Sequence, residues 1–331
     1  MAVYNAERYL SQCLESLCQQ TLRDIQIVCI DDCSTDSSSQ IISYYASHDP
    51  RIVSLRTPKN SGQAEARNLG LSVAEGEYTT MLDADDWYAP DALAQAYQVL
   101  QENEENDVAV MRVMLYDEDT ETETLLRNTA PQSVLAGEEA CRLSLTSGIP
   151  GINVVRTSLH KRYPYDTSCR LYSDDNTTRL HYLHARCVVM TDGTYYYRHH
   201  AASCTQRCSM RRFDYMEANW SMMQQLQHEV AMGNVREPQR LLSIYETHRW
   251  ENFVGCYGYL YKHRAQFSAA QRQQVCSRMR QLKRTFNFAY VSPRIKRKFG
   301  FWPLRSFFLF RLQLCLYFSI KKHVLGRTVE W

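Results

Sequence analysis

The chain has 331 residues, of which 44% are hydrophobic and 22% are charged, and this ordinary composition excludes both a disordered chain and a small domain without a core. The formal net charge is +2, but residues 293–331 contain nine Lys or Arg and one acid, which leaves 29 basic and 35 acidic residues in the rest of the chain. A mildly acidic body with a basic tail indicates that the tail has its own partner, and it disfavours a body that binds nucleic acid.

Strand and helix patterns alternate through the first 116 residues. Hydrophobic spacing and turn residues predict helices over 7–20, 34–49, 61–76 and 90–103, and strands over 25–30, 51–55, 77–82 and 107–116. Strands that alternate with helices predict an α/β fold with a doubly wound, mostly parallel sheet. In such a sheet, ligands bind beyond the carboxyl ends of the strands.

Carboxylates follow two of the predicted strands. Asp31 and Asp32 come directly after the first predicted strand, and Asp83, Asp85 and Asp86 come after the third. Because the carboxyl ends of parallel strands meet at one rim of the sheet, we expect both clusters to face one site, where they can hold a ribose, a base and a divalent cation. The alternative is structural, since each cluster precedes a predicted helix that its carboxylates could cap.

Motifs of several other protein classes are absent from the sequence. No GxGxxG follows the first strand and no GxxxxGK[ST] occurs, which disfavours a dinucleotide oxidoreductase and a P-loop NTPase. The Gly-rich basic loop expected of a nucleotidyltransferase is also not visible. The twelve cysteines lack the paired spacing of a zinc site, which favours reduced thiols in a cytoplasmic protein.

Three segments have a more specific pattern. They read VYNAERYLSQCLESLCQQTLRDIQIVCIDDCSTDSS over 3–38, SGQAEARNLGLSVAEGEY over 61–78 and MLDADDW over 81–87. Their order and spacing resemble those of the family 2 glycosyltransferases of the GT-A fold. A looser similarity continues through YSDDNTTRLHYLHARCVVMTDGTYYYRHH at 172–200, which resembles the acceptor-side segment of that family.

The resemblance implies a Rossmann-like GT-A sheet and an inverting sugar transfer. The expected donor is a nucleotide sugar, with a UDP-sugar favoured, and the expected acceptor is a hydroxyl of a glycan or of a lipid-linked sugar. We expect residues 1–115 to bind the nucleotide sugar, 116–205 to contact the acceptor, and 206–331 to form a helical extension. The alternative is a non-catalytic nucleotide-sugar-binding or scaffold protein derived from this fold.

The resemblance also assigns roles to residues on the donor side. Tyr4, Asn5, Asp31 and Asp32 are expected beside the donor, with Tyr4 flanking the base and Asp32 on its uracil side. Arg67, in the sequence ARN, is expected to face the phosphates or to brace the acidic loop. A solvent-facing arginine on a helix is the alternative for Arg67.

A departing nucleoside diphosphate concentrates negative charge, so a divalent cation is expected to act as a Lewis acid there. The resemblance implies Mg²⁺ or Mn²⁺ held by Asp85, with Asp83 near both the metal and the ribose. Asp86 is a weaker third candidate. The capping role described above remains the alternative for all three carboxylates.

An inverting transfer also needs a general base close to the acceptor hydroxyl. The resemblance places this base at Asp174, with Asp175 in reserve, although Ser173-Asp174-Asp175 stands where the family more often has Glu-Asp-Glu or a similar triplet. The alternative is that these acids cap the helix predicted to follow them. His199, in the segment TYYYRHH, is a weak candidate for acceptor contact, and ordinary packing is its alternative.

The start of the chain departs from the family pattern. Members usually begin with an apolar strand, and here nearly all of that strand is absent, so we expect the natural start to lie upstream of Met1. In the family topology this strand lies in the middle of the sheet, between the strands that carry Asp32 and Asp85. Its loss would leave unpaired backbone groups on both neighbours, at about 1–3 kcal/mol for each buried group.

The basic tail, residues 294–331, mixes bulky apolar residues with Arg and Lys. Arg305, Arg311 and Gln313 interrupt its apolar run, and central arginines are costly in hydrocarbon, so a membrane span is disfavoured. An interfacial helix lying on anionic lipid suits the composition, and a helix that packs on the body is the alternative. The sequence therefore predicts a cytoplasmic protein that contacts the cytoplasmic face of a membrane.

Overall fold

The structure, a computed structural model, describes residues 1–168, 172–200 and 208–324. The chain forms two compact units, residues 1–206 and residues 207–331. The first unit combines helices with strands, and the described part of the second unit contains helices only. The predicted α/β fold with a helical C-terminal region is therefore confirmed.

A parallel ladder forms at the start of the first unit. Its strands, in spatial order, are β1 (Ala2–Val3), β2 (Ile27–Asp31) and β3 (Ile52–Arg56). The helices that follow these strands are α1 (Leu10–Cys18), α2 (Ser38–His48) and α3 (Gln63–Ser72). The apolar residues of α1 recur at helical spacing, so the helix buries Leu10, Leu14 and Leu17 in the core.

A second, mixed sheet forms the rest of the first unit. Its strands are β4 (Tyr78–Thr80), β5 (Trp87–Tyr88), β6 (Asn106–Asp117), β7 (Thr122–Leu125), β8 (Val134–Ala136), β9 (Asn153–Arg156) and β10 (Cys187–His199). The main path runs β4-β9-β6-β10-β5, with β7 on β6 and β8 on β10. Among the described strands of this sheet, β6 and β10 pair in parallel and the other pairs are antiparallel.

Four further helices complete the described part of the first unit. They are α4 (Ala92–Gln101), α5 (Gly137–Ser144), α6 (Thr157–Arg162) and α7 (Ser173–His184). The long pairing of β6 with β10 connects the two regions predicted at 1–115 and 116–205, so both belong to one compact unit. The donor and acceptor roles given to these regions stay a prediction.

The first strand differs from the expected topology. β1 has only two residues and pairs with β2, where Val3 lies opposite Asp31. The amino group of Met1 donates a hydrogen bond to the carbonyl oxygen of Val28 at 2.8 Å. The segment before the acidic loop pairs through β4 with β9, so within the described residues β1 does not lie between the strands that lead to Asp32 and Asp85.

The helical unit has a core of its own. Its helices are α8 (Tyr215–Ala231), α9 (Pro238–Lys262), α10 (Ala269–Leu282), α11 (Pro293–Arg297) and α12 (Phe307–Val324). Trp250 of α9 lies at the centre, stacked on Phe253, and its indole N–H donates to the carbonyl oxygen of Phe301 at 2.9 Å. The aromatic residues of the tail therefore take part in a packed core.

The predicted tail is described as far as Val324, and residues 325–331 lie outside the described part of the chain. Phe310, Leu314 and Phe318 lie on one face of α12 and are fully buried in the helical core. In the described ranges, none of the helices combines the length and the apolar character needed to cross a membrane. Packing of one face is thus established for α12, and the predicted membrane contact stays untested.

Candidate active site

Asp32 follows β2 and organises the loop that leads into α3. It is buried, and one carboxylate oxygen accepts hydrogen bonds from the Thr57 hydroxyl at 2.7 Å and the Ser61 backbone N–H at 2.9 Å. The other oxygen accepts from the Gly62 backbone N–H at 2.8 Å. Gly62 has φ of 95°, a conformation that favours glycine. Asp32 binds this loop and does not cap α2.

Asp31 is also buried, and its contacts are local. One oxygen accepts from the Ser34 backbone N–H at 2.9 Å, and the other lies 3.3 Å from a guanidinium nitrogen of Arg56. Neither contact is a cap of α2, whose N-cap residue is Ser37. The structure thus places Asp31 in the turn after β2, where it pairs with Arg56 of β3.

Tyr4 and Asn5 lie in the turn after β1, next to the turn after β2. Asn5 has φ of 51°, and its side-chain oxygen accepts from the Thr35 backbone N–H at 2.8 Å. Its own backbone N–H donates to the Ser34 hydroxyl at 3.1 Å. These bonds hold the two turns together and leave the Tyr4 side chain on the surface, 50% exposed.

Arg67 of α3 connects the acidic loop to α7. Its side chain is almost completely buried, and its guanidinium contacts Asp83 at 2.6 Å and Asp174 at 3.4 Å. The guanidinium also lies over the ring of Tyr165, 5.3 Å from its centroid. Burial by itself would lower the pKa of Arg67, but the two carboxylates raise it above its ordinary value. The prediction that Arg67 braces the acidic loop agrees with these contacts, and the solvent-facing alternative is wrong.

Asp83 is the carboxylate that Arg67 holds most closely. The oxygen that contacts Arg67 also accepts from the side-chain amide of Gln63 at 3.0 Å. Burial raises the pKa of Asp83, Arg67 opposes this shift, and the charges of Asp85 and Asp174 raise the pKa further. Three carboxylates therefore share one small region, and a bound cation would lower their mutual repulsion.

The side chain of Asp85 is more accessible than that of Asp83. It pairs with a histidine, His200, that was not predicted from the sequence. One of its carboxylate oxygens lies 3.0 Å from Nε2 of His200, which is buried against the ring of Tyr9. His199, the predicted acceptor contact, lies opposite Asp117 of β6 and packs near Tyr197. Side chains of neighbouring residues along an extended chain point in opposite directions, so His200 faces the acidic loop where His199 does not.

Asp86 binds β10 to the acidic loop. It is buried, and it accepts hydrogen bonds from the Tyr195 hydroxyl at 2.5 Å and from the Arg198 backbone N–H at 2.7 Å. Burial, together with the charges of Asp85 and Asp83, raises its pKa well above the ordinary value. Both oxygens have protein partners, so Asp86 is a poor metal candidate. It does not cap α4 either, since Asp91 occupies the N-cap position.

Arg198 is a second residue that the sequence analysis did not single out. Its Nε donates to the backbone carbonyl oxygen of Asp85 at 2.8 Å. Its guanidinium lies over the rings of Trp87, Tyr9 and Tyr116, at 4.5, 4.9 and 5.6 Å from their centroids. An arginine enclosed by aromatic rings is held rigidly, so Arg198 positions the backbone from which the Asp85 side chain extends. The aromatic and basic run YYYRHH in the sequence indicated that such a cluster could form. It did not indicate which of these side chains face the acidic loop.

Asp174 and Asp175 lie in the first turn of α7. Asp174 is 27% exposed and directed at Arg67, whereas Asp175 is 45% exposed and lies 3.9 Å from Arg179. Partial desolvation raises the pKa of Asp175, Arg179 opposes this shift, and Asp174 adds to it. α7 begins at Ser173, so neither acid is the N-cap residue, although both favour the helix dipole. The structure thus brings the predicted base and the acidic loop to one place, with Arg67 between them.

Few of the described side chains are placed to ligate a metal ion. Over the described ranges, no group of three or more His, Cys, Asp or Glu side chains converges on a point that could hold a metal ion. Asp85 and His200 nevertheless offer a carboxylate and an imidazole 3.0 Å apart. Mg²⁺ is commonly bound by one or two carboxylates together with substrate phosphates, so the Asp85 carboxylate fits an ion that arrives with a phosphorylated donor, and the imidazole of His200 lies beside it.

The sequence of the chain is similar to those of known proteins. The sequence model of the family described as Glycosyl transferase family 2 matches residues 1–218. Glycosyltransferase GlyG of Streptococcus pneumoniae serotype 4 (strain ATCC BAA-334 / TIGR4) is 29% identical over 212 residues, which cover 61% of this chain and 70% of GlyG. The poly(ribitol-phosphate) beta-glucosyltransferase of Bacillus spizizenii (strain ATCC 23059 / NRRL B-14472 / W23) is 29% identical over 199 residues, 59% of this chain but only 31% of that enzyme.

The fold is also found among solved structures. The crystal structure of S. aureus TarS 1–349 in complex with UDP-GlcNAc superimposes with a TM-score of 0.69. The alignment covers 98% of this chain and 90% of the TarS chain, at 17% sequence identity. At this identity the similarity establishes a shared fold, and it includes the helical unit as well as the α/β unit.

Proposed function

Because the chain belongs to glycosyl transferase family 2, we propose that it transfers a sugar from a nucleotide sugar, with inversion, to a hydroxyl of a glycan or a lipid-linked acceptor. The observation that supports this most directly is the contact of one buried arginine, Arg67, with Asp83 and Asp174. It joins the donor-side acidic loop to the helix that carries the candidate base. A donor phosphate and an acceptor hydroxyl held between these two elements would be adjacent.

The donor is proposed to be a UDP-sugar that binds next to the turns after β1 and β2. The exposed ring of Tyr4 offers a surface on which a base can stack, and Asp32 orders the loop beside it. Asn5 keeps Tyr4 in place through its bonds to the following turn. The UDP-GlcNAc bound to the related TarS fold supports a uridine donor.

Asp85 and His200 are proposed to hold Mg²⁺ or Mn²⁺, with Asp83 nearby. When bound, the ion would neutralise charge on the departing diphosphate. Burial, and then the charges of Asp85 and Asp174, raise the pKa of Asp83, and a cation bound beside these carboxylates would offset their repulsion. Arg67 holds Asp83 in position, and Arg198 and Asp86 hold the backbone of the acidic loop.

Two residues compete for the role of general base, and the contacts favour Asp175 over Asp174. Asp174 lies against Arg67, which holds its carboxylate in place. Asp175 is more exposed, and among the described residues its carboxylate has a distant contact, 3.9 Å, with Arg179, which leaves it accessible to an acceptor hydroxyl. Burial raises the pKa of Asp175 above its ordinary value. Asp174 is then the residue that orients Arg67 and the first turn of α7.

The proposed reaction is tested with a panel of donors. Full-length protein would be incubated with UDP-GlcNAc, UDP-glucose and GDP-mannose, each with Mn²⁺, with Mg²⁺ and with a chelator, and release of nucleoside diphosphate would be measured. We expect release from at least one UDP-sugar that stops when the chelator is added. Binding of a UDP-sugar without turnover, in the presence of glycan and lipid-linked acceptors, would support the non-catalytic alternative instead.

The acceptor is proposed to lie at the cytoplasmic face of a membrane that residues 294–331 contact. The relatives support a role in building a surface polymer, since one of them is named as a poly(ribitol-phosphate) glucosyltransferase. Residues 293–324 contain eight basic residues and no acid, which suits an anionic surface.

A further inference from the structure

The last described helix, α12, has two apolar faces. Phe310, Leu314 and Phe318 are spaced by four residues and are fully buried in the core of the helical unit. A second set, spaced by three or four residues, points to solvent: Leu309, Leu312, Leu316 and Ile320, with Phe308 beside them. Phe308 is 73% exposed and each of the others is about half exposed. Such a continuous apolar stripe is unusual on a protein surface and indicates an interaction site.

The surroundings of this stripe are basic. Arg305 precedes it, Arg311 lies within its length, and Lys322 follows it, and all three side chains are exposed. Trp302, also exposed, lies just before the helix. An apolar stripe with Trp and Phe that is bordered by Arg and Lys matches the chemistry of an anionic lipid surface: the apolar residues enter the acyl boundary and the bases meet the phosphates.

We propose that α12 docks the folded protein on anionic membranes through Phe308, Leu309, Leu312, Leu316 and Ile320, while its opposite face stays packed in the helical core. This inference deepens the proposed membrane contact by naming the surface. Packing and membrane binding are then properties of two faces of one helix. The helix need not detach from the unit, because the stripe is already exposed.

The geometry of the helix supports an orientation parallel to the membrane. The exposed residues recur every three or four positions, so they form a line along one side of the helix. A helix anchored by Phe310, Leu314 and Phe318 cannot insert end-on without losing its core contacts. The bound helix therefore lies in the plane of the interface, where the exposed side chains of Arg305 and Lys322 can extend to the headgroups.

The test measures co-sedimentation of full-length protein with vesicles of phosphatidylglycerol and with vesicles of phosphatidylcholine alone. We expect binding to phosphatidylglycerol that weakens as salt is added, because the basic contribution is screened. The double variant Leu312→Gln, Leu316→Gln should bind at least about tenfold more weakly, since burying one leucine is worth about a factor of ten or more. Both residues are exposed, so the variant should fold.

A matched control is Met232→Gln, which removes an exposed apolar residue from the end of α8 in the same unit. It should bind like the parent. Turnover of a UDP-sugar without vesicles should be unchanged in the double variant, so a failure here is distinct from a failure of the proposed reaction. Parent protein that stays in the supernatant with phosphatidylglycerol at low salt would overturn the proposal.

Two other partners could cover the stripe in place of a membrane. Each would give a different experimental result, and either result would overturn the proposal. A second copy of the chain would give a dimer in solution that the double variant dissociates, without vesicle binding by the parent. Cover by residues 325–331 would give vesicle binding only after the chain is shortened to end at Val324.

Discussion

At the level of single residues, Arg67 has the largest influence on the candidate site. A guanidinium this deeply buried is costly unless carboxylates balance it, and Asp83 and Asp174 do so from two different elements. The position of each carboxylate therefore depends on the other through the arginine. This explains why the acidic loop and the start of α7, about 90 residues apart in sequence, lie together.

The same contacts lead to a prediction about the general base. Asp175→Asn should lower sugar transfer by about 10²–10⁴-fold with little change in donor affinity, because a positioned base contributes that much. Asp174→Asn should instead weaken both transfer and donor binding, since Arg67 loses one of its two partners. Transfer rates and donor dissociation constants of the two variants check this. A loss confined to transfer in Asp174→Asn, with Asp175→Asn unaffected, would return the base to Asp174.

At the level of elements, β10 determines the conformation of the acidic loop. Tyr195 and the backbone of Arg198 bind Asp86, and the side chain of Arg198 binds the backbone of Asp85. A metal ligand must be held within a fraction of an ångström, and loops achieve this only when neighbouring elements brace them. β10 is thus a supporting element of the site.

The support from β10 can be tested at Arg198. Arg198→Lys keeps the charge but loses the planar group that stacks on Trp87 and Tyr9, so we expect a weaker apparent affinity for Mn²⁺, by about 10–100-fold. Arg112→Lys, a change of an exposed arginine on the neighbouring strand β6, serves as the matched control and should behave like the parent. Titration of donor turnover with Mn²⁺ measures the difference. Identical titrations for Arg198→Lys and the parent would show that the stacking of Arg198 on the aromatic rings has no role in metal binding.

At the level of the whole molecule, buried histidines make stability depend on pH. His160 of α6 bonds to Thr79, and its ring lies 4.6 Å from the ring of His181 of α7. Burial, and then the charge of His181, lowers the pKa of His160 to about 2, and burial lowers that of His181 to about 4. Their pKa in the unfolded chain is about 6.5. Below about pH 6.5 the unfolded state therefore binds more protons than the folded state, and the free energy of unfolding falls as the pH is lowered.

This effect reaches about 1.4 kcal/mol per pH unit for each histidine near pH 5, where the unfolded histidines are protonated and the folded ones are not. Urea unfolding at a series of pH values measures the slope. His160→Gln should reduce the slope, whatever it does to the stability at neutral pH, whereas His228→Gln, a change at an exposed position on α8, should leave it unchanged. An unaltered slope in His160→Gln would contradict the conclusion that the buried His160 makes the stability depend on pH.

The sequence predicted the α/β fold and most of the residues that meet in the site, because they follow strands whose ends share one region. The family resemblance indicated that Arg67 faces the phosphates or braces the acidic loop, and the contact of Arg67 with Asp83 agrees with the second of these. It missed Arg198 of β10 and His200, which directly follows β10, since the alternation of side chains along this extended segment decides which of the two adjacent histidines faces the loop. It also treated packing and membrane contact of the tail as alternatives, because sequence spacing alone does not say which face of α12 another helix covers.

The most direct test of the central claim is the release of UDP from a UDP-sugar in the presence of Mn²⁺ by the parent, Asp85→Asn and Asp91→Asn. Asp91 lies six residues further along the same segment, on the surface at the start of α4, so it controls for the loss of a nearby carboxylate. We predict metal-dependent release by the parent and by Asp91→Asn, and a loss of about 10²-fold or more in Asp85→Asn, which keeps the side-chain shape but not the charge. Equal release by all three proteins would contradict the assignment of the acidic loop as the active site.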